Sequence, residues 1–502
     1  MHAKTFFATV AVLVLTGTAL AESRWNGRSL VSWTARDSAY PLNVVWSGYE
    51  RPLHQSRVDS FVSFDVGEPG RFDTDLPAGV AFSEVRTRPL SRAQARLENG
   101  RLVFDVKGPE QFVVEFGEGR PQLHVFANPP FEFERRPEDL YFGPGEHEVG
   151  LIEPKSGQRV CLAEGAVVYG AFLLENVTNV TITGRGVLDS SKIRRTHQDG
   201  FYLRTLSAEE KADLTDVTSF MCRQCENVRV EGVVFRDSPF WILIVRNACR
   251  NIVFDNVKTV GQWRYNADGI DICGCEDVVV RNSFIRSFDD SFVVRDGGIS
   301  SDKGAYQPAR NIRCENTILW CDWGYNVKTQ LTGRRGALIE GITVTNCVFA
   351  NVQSAGIVIA ARPGGPDVTI RDVTIADIEF DVPPPRYGSE MMSKNQPQQK
   401  FIGSVRTQVG LFDVVNYDLM RKGKDGKPCM IDVSNFSILY DRLAFRDFRV
   451  LGEYSSLHGR FSLTAGKEEI RDLVLENLPA GVYYSKKATF TNPRGLHEVE
   501  VK

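Results

Sequence analysis

Asn266-Ala267-Asp268-Gly269-Ile270-Asp271 is followed, after a short stretch, by Asp289-Asp290-Ser291-Phe292-Val293-Val294-Arg295. Asp268 and Asp290 are 22 residues apart. That spacing matches one turn of a right-handed parallel β-helix, where residues one coil apart stack roughly 4.8 Å from each other. Carboxylates brought that close repel and raise each other's pKa, so they are costly unless they do chemistry or bind a cation. Asp-Asp by itself is also an ordinary solvated turn. The surrounding repeat decides between the two.

That repeat runs outward in both directions. Asn179-Val-Thr-Ile-Thr-Gly, Asn227-Val-Arg-Val-Glu-Gly, Asn251-Ile-Val-Phe-Asp-Asn, Asp277-Val-Val-Val-Arg-Asn and Asn311-Ile-Arg-Cys-Glu-Asn share one pattern. Gly341-Ile-Thr-Val-Thr-Asn and Asp367-Val-Thr-Ile-Arg-Asp continue it. Each is a short alternating strand, a turn of Gly, Asn or Asp, and a second apolar strand. From Asn227 the starts advance by 24, 26 and 34 residues. Strand–turn–strand units at this period specify a solenoid. No helix-length pattern separates them, which excludes alternating β/α folds. Alternation puts Ile and Val inside, and the longer gaps are loops grown on one face.

The chain is read as all-β: a right-handed parallel β-helix over 136–502, preceded by a small antiparallel β-sandwich over 22–135. The sandwich rests on short alternating strands such as Phe61-Val-Ser-Phe-Asp-Val66 and Phe112-Val-Val-Glu-Phe116, with Pro129-Pro130 at the junction. Residues 385–427 carry Met391-Met392, Gln396-Pro397-Gln398-Gln399 and a Lys-rich stretch, and read as a loop insertion over one face.

Residues 1–21 read as a secretory signal. Lys4 gives the positive start, Phe6 to Leu20 is apolar, and Ala19-Leu20-Ala21 is an A-x-A cleavage site. The expected location is secreted or periplasmic, with no membrane association after signal removal. Against 63 acidic residues stand 60 basic ones, so nothing points to nucleic acid. Ten cysteines in an exported chain permit disulfides. Cys222-x-x-Cys225 and Cys273-x-Cys275 invite a zinc reading. With no histidine between His197 and His458, packing of small side chains in a stacked interior is the better account. No metal and no cofactor are expected.

The two acidic motifs resemble those of the β-helical glycoside hydrolases, the clan of polygalacturonases (family 28) and dextranases (family 49). Family 28 carries Asn-Thr-Asp, then about one coil later Asp-Asp-Cys-Ile-Ala-Ile-Lys. The counterparts here are Asn266-Ala267-Asp268 and Asp289-Asp290-Ser291-Phe292-Val293-Val294-Arg295. The resemblance covers residues 139–380, and the N-terminal sandwich is similar in kind to the one that precedes the helix in the dextranase group. There are departures. Thr is replaced by Ala267, Gly-His-Gly is absent, and the nearest echo of Arg-Ile-Lys is Asn326-Val327-Lys328. The scaffold and acid cluster carry over, but the pectin assignment does not.

The resemblance implies a glycosidase acting on a polysaccharide or oligosaccharide, and a monomer is expected. It makes Asp289 the general acid, with Asp268 and Asp290 holding the water. Mutual repulsion is expected to keep Asp289 protonated while the other two ionise. Inversion needs carboxyl separations of about 6.5–9.5 Å, so Asp289 is expected to point away from the Asp268–Asp290 pair. Neighbouring residues of a strand face opposite ways, so Asp289 and Asp290 share the cleft only if the chain bends there. Substrate-binding candidates are Asn266, Asp271, Arg295, Trp323 and Lys328. Asp271 faces outward between Ile270 and Ile272, Arg295 is placed to pair with it, and Asn266 sits at a turn. Trp263, Tyr265, Trp320 and Trp323 flank the motifs as rings for sugar stacking, with core packing as the alternative.

Two other functions fit the same solenoid. A lyase or epimerase on uronate polymers would use a basic side chain, such as Arg264, Arg295 or Lys328, and often calcium. A non-catalytic carbohydrate-binding β-helix would bind without producing new reducing ends.

Overall fold

In the computed structural model, the residues described are 22–35, 45–46, 49–50, 59–117, 122–193, 218–262, 266–297, 306–322, 324–352, 355–362, 364–382, 408–416, 420–422, 428–430, 436–463, 468–479 and 489–495. The turns of the repeat organise the main body. Asn179, Asn227, Asn251, Asp277 and Asn311 open their motifs with φ between 50° and 58°, a left-handed backbone that Asn and Asp adopt more readily than other side chains. They also stack as a ladder. Asn227 Nδ2 donates to Asn179 Oδ1 at 3.1 Å, Asn251 Nδ2 to Asn227 Oδ1 at 2.6 Å, and Asn311 Nδ2 to Asp277 Oδ1. Asn282, Asn316 and Asn346 close their motifs in a second left-handed ladder.

Between the ladders, the alternating residues turn inward. Val180 and Ile182, Val228 and Val230, Ile252 and Phe254, and Val278 and Val280 are buried in one continuous core. The result is a right-handed parallel β-helix with 28 strands among the described residues, from Leu140–Phe142 to Thr489–Thr491, each paired with its counterpart on the next coil. One coil illustrates the path: Ile270–Cys273, Glu276–Arg281, Phe284–Ser287, and then Phe292–Arg295 of the next coil, with Ile270 opposite Phe292 and Asp271 opposite Val293.

Two five-stranded sheets precede the solenoid. They enclose Val62, Phe64, Phe72, Leu102, Phe104, Phe112, Val114 and Val125. Their pairs are antiparallel except for one: Asp59–Asp65 runs parallel to Gln122–Asn128. The chain leaves Asp65 for Gly70–Asp75 in the other sheet before it returns, so these two strands are not joined as a hairpin.

The sandwich covers the third face of successive coils from Val187 to Ala350. Phe61, Val113 and Phe126 pack with Val234, Val260, Phe284, Ile318 and Trp320. Arg88 Nη2 donates to Asp381 Oδ1 at 2.8 Å across this contact. Arg286 Nη1 donates to Gln122 Oε1 at 2.6 Å and its Nε to Asp322 Oδ2 at 2.9 Å. The first face, carrying Leu243–Arg246, Ile270–Cys273, Phe292–Arg295 and Val327–Leu331, lies elsewhere on the coil.

Of the loop insertion expected at 385–427, residues 408–416 and 420–422 are described and the rest lies outside the described residues. Gln408–Asn416 is a solenoid strand, paired with Ala355–Ala361 and Ser456–Ser462. Its apolar Val409, Leu411, Phe412 and Val414 join the core. Polar flanks on both sides hid one short apolar run. Residues 1–21, read as a signal from the sequence, lie outside the described residues, and none of the described helices is long and apolar enough to cross a membrane.

Candidate active site

The site is built on the first face, where inward and outward residues alternate. Ile270 and Ile272 enter the core, so Asp271 points outward, yet it is fully buried beneath Arg295. Arg295 Nε donates to Asp271 Oδ1 at 3.2 Å, and its Nη2 lies 3.6 Å from Asp268 Oδ2. Nη1 donates to Gln330 Oε1 at 2.7 Å, and the guanidinium lies 4.9 Å from the Trp241 ring centre. One cation thus spans two aspartates.

The chain bends between Phe284–Ser287 and Phe292–Arg295. Phe288 and Asp289 both donate their N–H to Ala267 O, at 3.1 and 3.2 Å, and Gly269 N–H donates to Asp290 O at 2.7 Å. These bonds lock the two acidic motifs together on adjacent coils. Gly269 is required there, because a Cβ would sit 2.3 Å from Ser291 O. The bend also breaks the alternation of Asp289 and Asp290. A Cβ on Gly324 would meet Asp290 Oδ1 at 2.5 Å and Asp289 Oδ1 at 2.6 Å, so both carboxyls converge on the space that this glycine leaves. Asp289 therefore does not point away from Asp290, contrary to expectation. The Asp290 N–H, donating to Asp289 Oδ1 at 3.0 Å, holds it in place.

Asp290 receives two further donors. Lys328 Nζ lies 2.6 Å from Oδ2, and Tyr325 N–H donates to Oδ1 at 2.9 Å. Asp268 is less satisfied: its Oδ1 is buried without a partner, as is Asp271 Oδ2.

Burial, more than repulsion, sets the acidities. Asp289 is pushed up to about 7, first by burial and then by the Asp290 charge, with Lys328 opposing. Asp271 is also pushed up to about 7 by burial, with Arg295 opposing. Burial and then Asp271, Asp289 and Asp290 hold Asp268 well above the usual carboxylate range. Repulsion therefore does not single out Asp289, as was expected: burial also raises Asp268 and Asp271.

The remaining candidates divide. Asn266 holds a left-handed turn at φ 55° just before Asp268. Trp320 is core: it is 1% exposed, between Arg88 and Arg286 at the sandwich contact. Trp263, Arg264, Tyr265 and Trp323 lie outside the described residues. Sequence reasoning missed Trp241, Gln330, Gly324 and the Tyr325 N–H. Gly324 follows Trp323 one coil after Asp289-Asp290, and a glycine at that offset was the available signal.

The nine described cysteines are all buried, and none forms a disulfide. The Sγ atoms of Cys222, Cys225 and Cys249 lie within 4.8 Å of one another, inside the solenoid core among Val and Ile.

Residues 168–383 match the model of glycosyl hydrolases family 28. A probable polygalacturonase of Arabidopsis thaliana is 24% identical over 169 residues, which are 32% of this chain and 34% of the relative. The chain thus spans about a third of the length of that curated relative. Among solved structures, Dex49A from Penicillium minioluteum superposes with a TM-score of 0.53 at 14% identity, covering 90% of this chain and 87% of the other. A family 28 exopolygalacturonase from Yersinia enterocolitica covers 90% of this chain and 98% of the other, at 13% identity and a TM-score of 0.38. The likeness read from the two acidic motifs holds: residues 168–383, which lie in the β-helix, resemble glycosyl hydrolases family 28.

Proposed function

We propose that the chain is an exported hydrolase that cleaves O-glycosidic bonds of a polysaccharide or oligosaccharide, acting as a monomer without a cofactor. The observation that carries this reading is the convergence of Asp268, Asp289 and Asp290 from adjacent coils, with Asp289 pushed up to about 7. A carboxyl group near that value is protonated when needed and can still release its proton, as a general acid must.

Asp289 protonates the leaving oxygen. Asp268 and Asp290 hold the water, with Asp290 as the base and the natural seat at Asp268 Oδ1, the oxygen without a partner. Lys328 and the Tyr325 N–H fix Asp290, and Arg295 fixes Asp268 and Asp271. Inversion requires room for that water. Asp289 and Asp290 are too close together to provide it, so the water belongs on the Asp268 side.

The test is a panel of polysaccharides scored for new reducing ends, with Asp289→Asn as control. This nearly isosteric change removes the proton, and activity should fall by about 10²–10⁴. Near wild-type turnover would show that the acid lies elsewhere. Proton NMR of the first product decides the stereochemistry: initial appearance of the substrate's own anomer would exclude inversion. Calcium-dependent release of an unsaturated product would instead establish a lyase.

A further inference from the structure

We infer that the site takes an uncharged glycan rather than a uronate polymer. This rests on the hydrolase reading above and narrows its substrate class.

The strand register lines up one outward row along the cleft face: Met221, Ile244, Asp271, Val293, Lys328, Val358, Asp413 and Arg460 follow one another coil by coil. A polymer lying along the solenoid axis would be met by this row and its neighbour. A uronate chain needs a cation for its carboxylates, placed beside the row and not already engaged. Both cations of the row are taken, Lys328 by Asp290 and Arg460 by Asp413. The neighbouring row is taken too. Arg223 pairs with Glu175, Arg295 bridges Asp268 and Asp271, and buried Arg246 has its own interaction. Among the described residues, every cation of these two rows is engaged.

The centre also carries more carboxyl groups than cations, four against the two of Arg295 and Lys328. A uronate entering here must break the buried pair of Arg295 or of Lys328 to find a partner. A hydroxyl group avoids that cost, because it can donate and accept. What lies before the acid cluster on this face is apolar: Met221 and Ile244 pack with Leu173 and the half-buried Trp241. Trp241 stacks on Phe240, with ring centres 5.1 Å apart, and its buried Nε1–H has no acceptor. An apolar ring edge with one neutral donor suits a sugar hydroxyl.

The test compares matched polymers. Polygalacturonate, alginate and glucuronan are each set against their carboxyl-reduced, neutral forms, with a neutral glucan alongside. Binding is read by affinity electrophoresis of the full chain carrying Asp289→Asn, and cleavage by reducing ends with the wild type. Retention by neutral polymers, stronger by about tenfold than by their uronate counterparts, is expected. Stronger retention by the uronates, or retention by none of the neutral polymers, would overturn the inference. Binding answers this even if nothing is cleaved, and absence of cleavage bears on the hydrolase reading alone.

Discussion

Lys328 acts on two aspartates at once. It binds Asp290 directly and lowers the pKa of Asp289, while Asp290 raises it. The acid works only when protonated, so the rate should fall as pH rises through about 7. Lys328→Met removes the opposing charge, and the alkaline limb of kcat/KM should move to higher pH. A limb that moves down, or stays in place, would show that Asp289 is not the group being titrated. Gly324 makes a steric counterpart. Gly324→Ala drives a methyl into the space on which both Oδ1 atoms converge. We expect loss of most activity, with the β-sheet circular dichroism unchanged. Asp289 and Asp290 were legible in the sequence as residues. Their shared orientation was not, because period-2 alternation separates neighbours and only a bend, pinned by Ala267 O, brings them together.

At the scale of the element, the Asn ladder joins coil to coil. Asn251 combines a left-handed φ of 54° with side-chain bonding to Asn227. Asn251→Ala adds backbone strain of about 1–2 kcal/mol and removes a bond worth about 1 kcal/mol. Asn251→Gly keeps the backbone relaxed and should cost clearly less. Denaturant midpoints of the two variants measure the difference, and equal losses would assign the cost to the hydrogen bond alone. The repeat motifs were readable because one residue type serves both the turn and the ladder. Gln408–Asn416 was not, since its apolar run is one strand long and polar sequence surrounds it. Trp320 looked like a sugar platform from its position beside the motif. Its burial against Arg88 and Arg286 depends on the sandwich, which no local pattern announces.

The whole molecule depends on that docked sandwich and on a protonated cluster. Arg88 and Asp381 form a buried pair across the contact, with side chains 2% and 0% exposed. Arg88→Met strands Asp381 and should cost about 3–5 kcal/mol in denaturant unfolding. An unchanged midpoint would show that the sandwich contact contributes nothing to stability. The cluster gives a pH dependence of defined sign. Asp271 and Asp289 stand at about 7 folded, against about 4 for an unfolded carboxyl. Raised values stabilise the fold fully below about pH 4, and that contribution is lost as pH rises through about 7, at about 1.4 kcal/mol per pH unit per group. Wild type should therefore melt at a lower temperature at pH 8 than at pH 5. The Asp271→Asn, Asp289→Asn double variant should flatten the profile, and an equally steep one would place the titration elsewhere.

By itself the sequence determined the solenoid, its inward and outward faces, and the meeting of the two acidic motifs. These follow from short-range rules: alternation with period two, left-handed Asn at turns, and an offset equal to one coil. The tertiary structure alone decided the acidities and the fate of each charged side chain. Burial depends on everything packed around a group, and an ion pair depends on which coil lies beside it. Both are sums over residues distant in the chain, and no local pattern contains them.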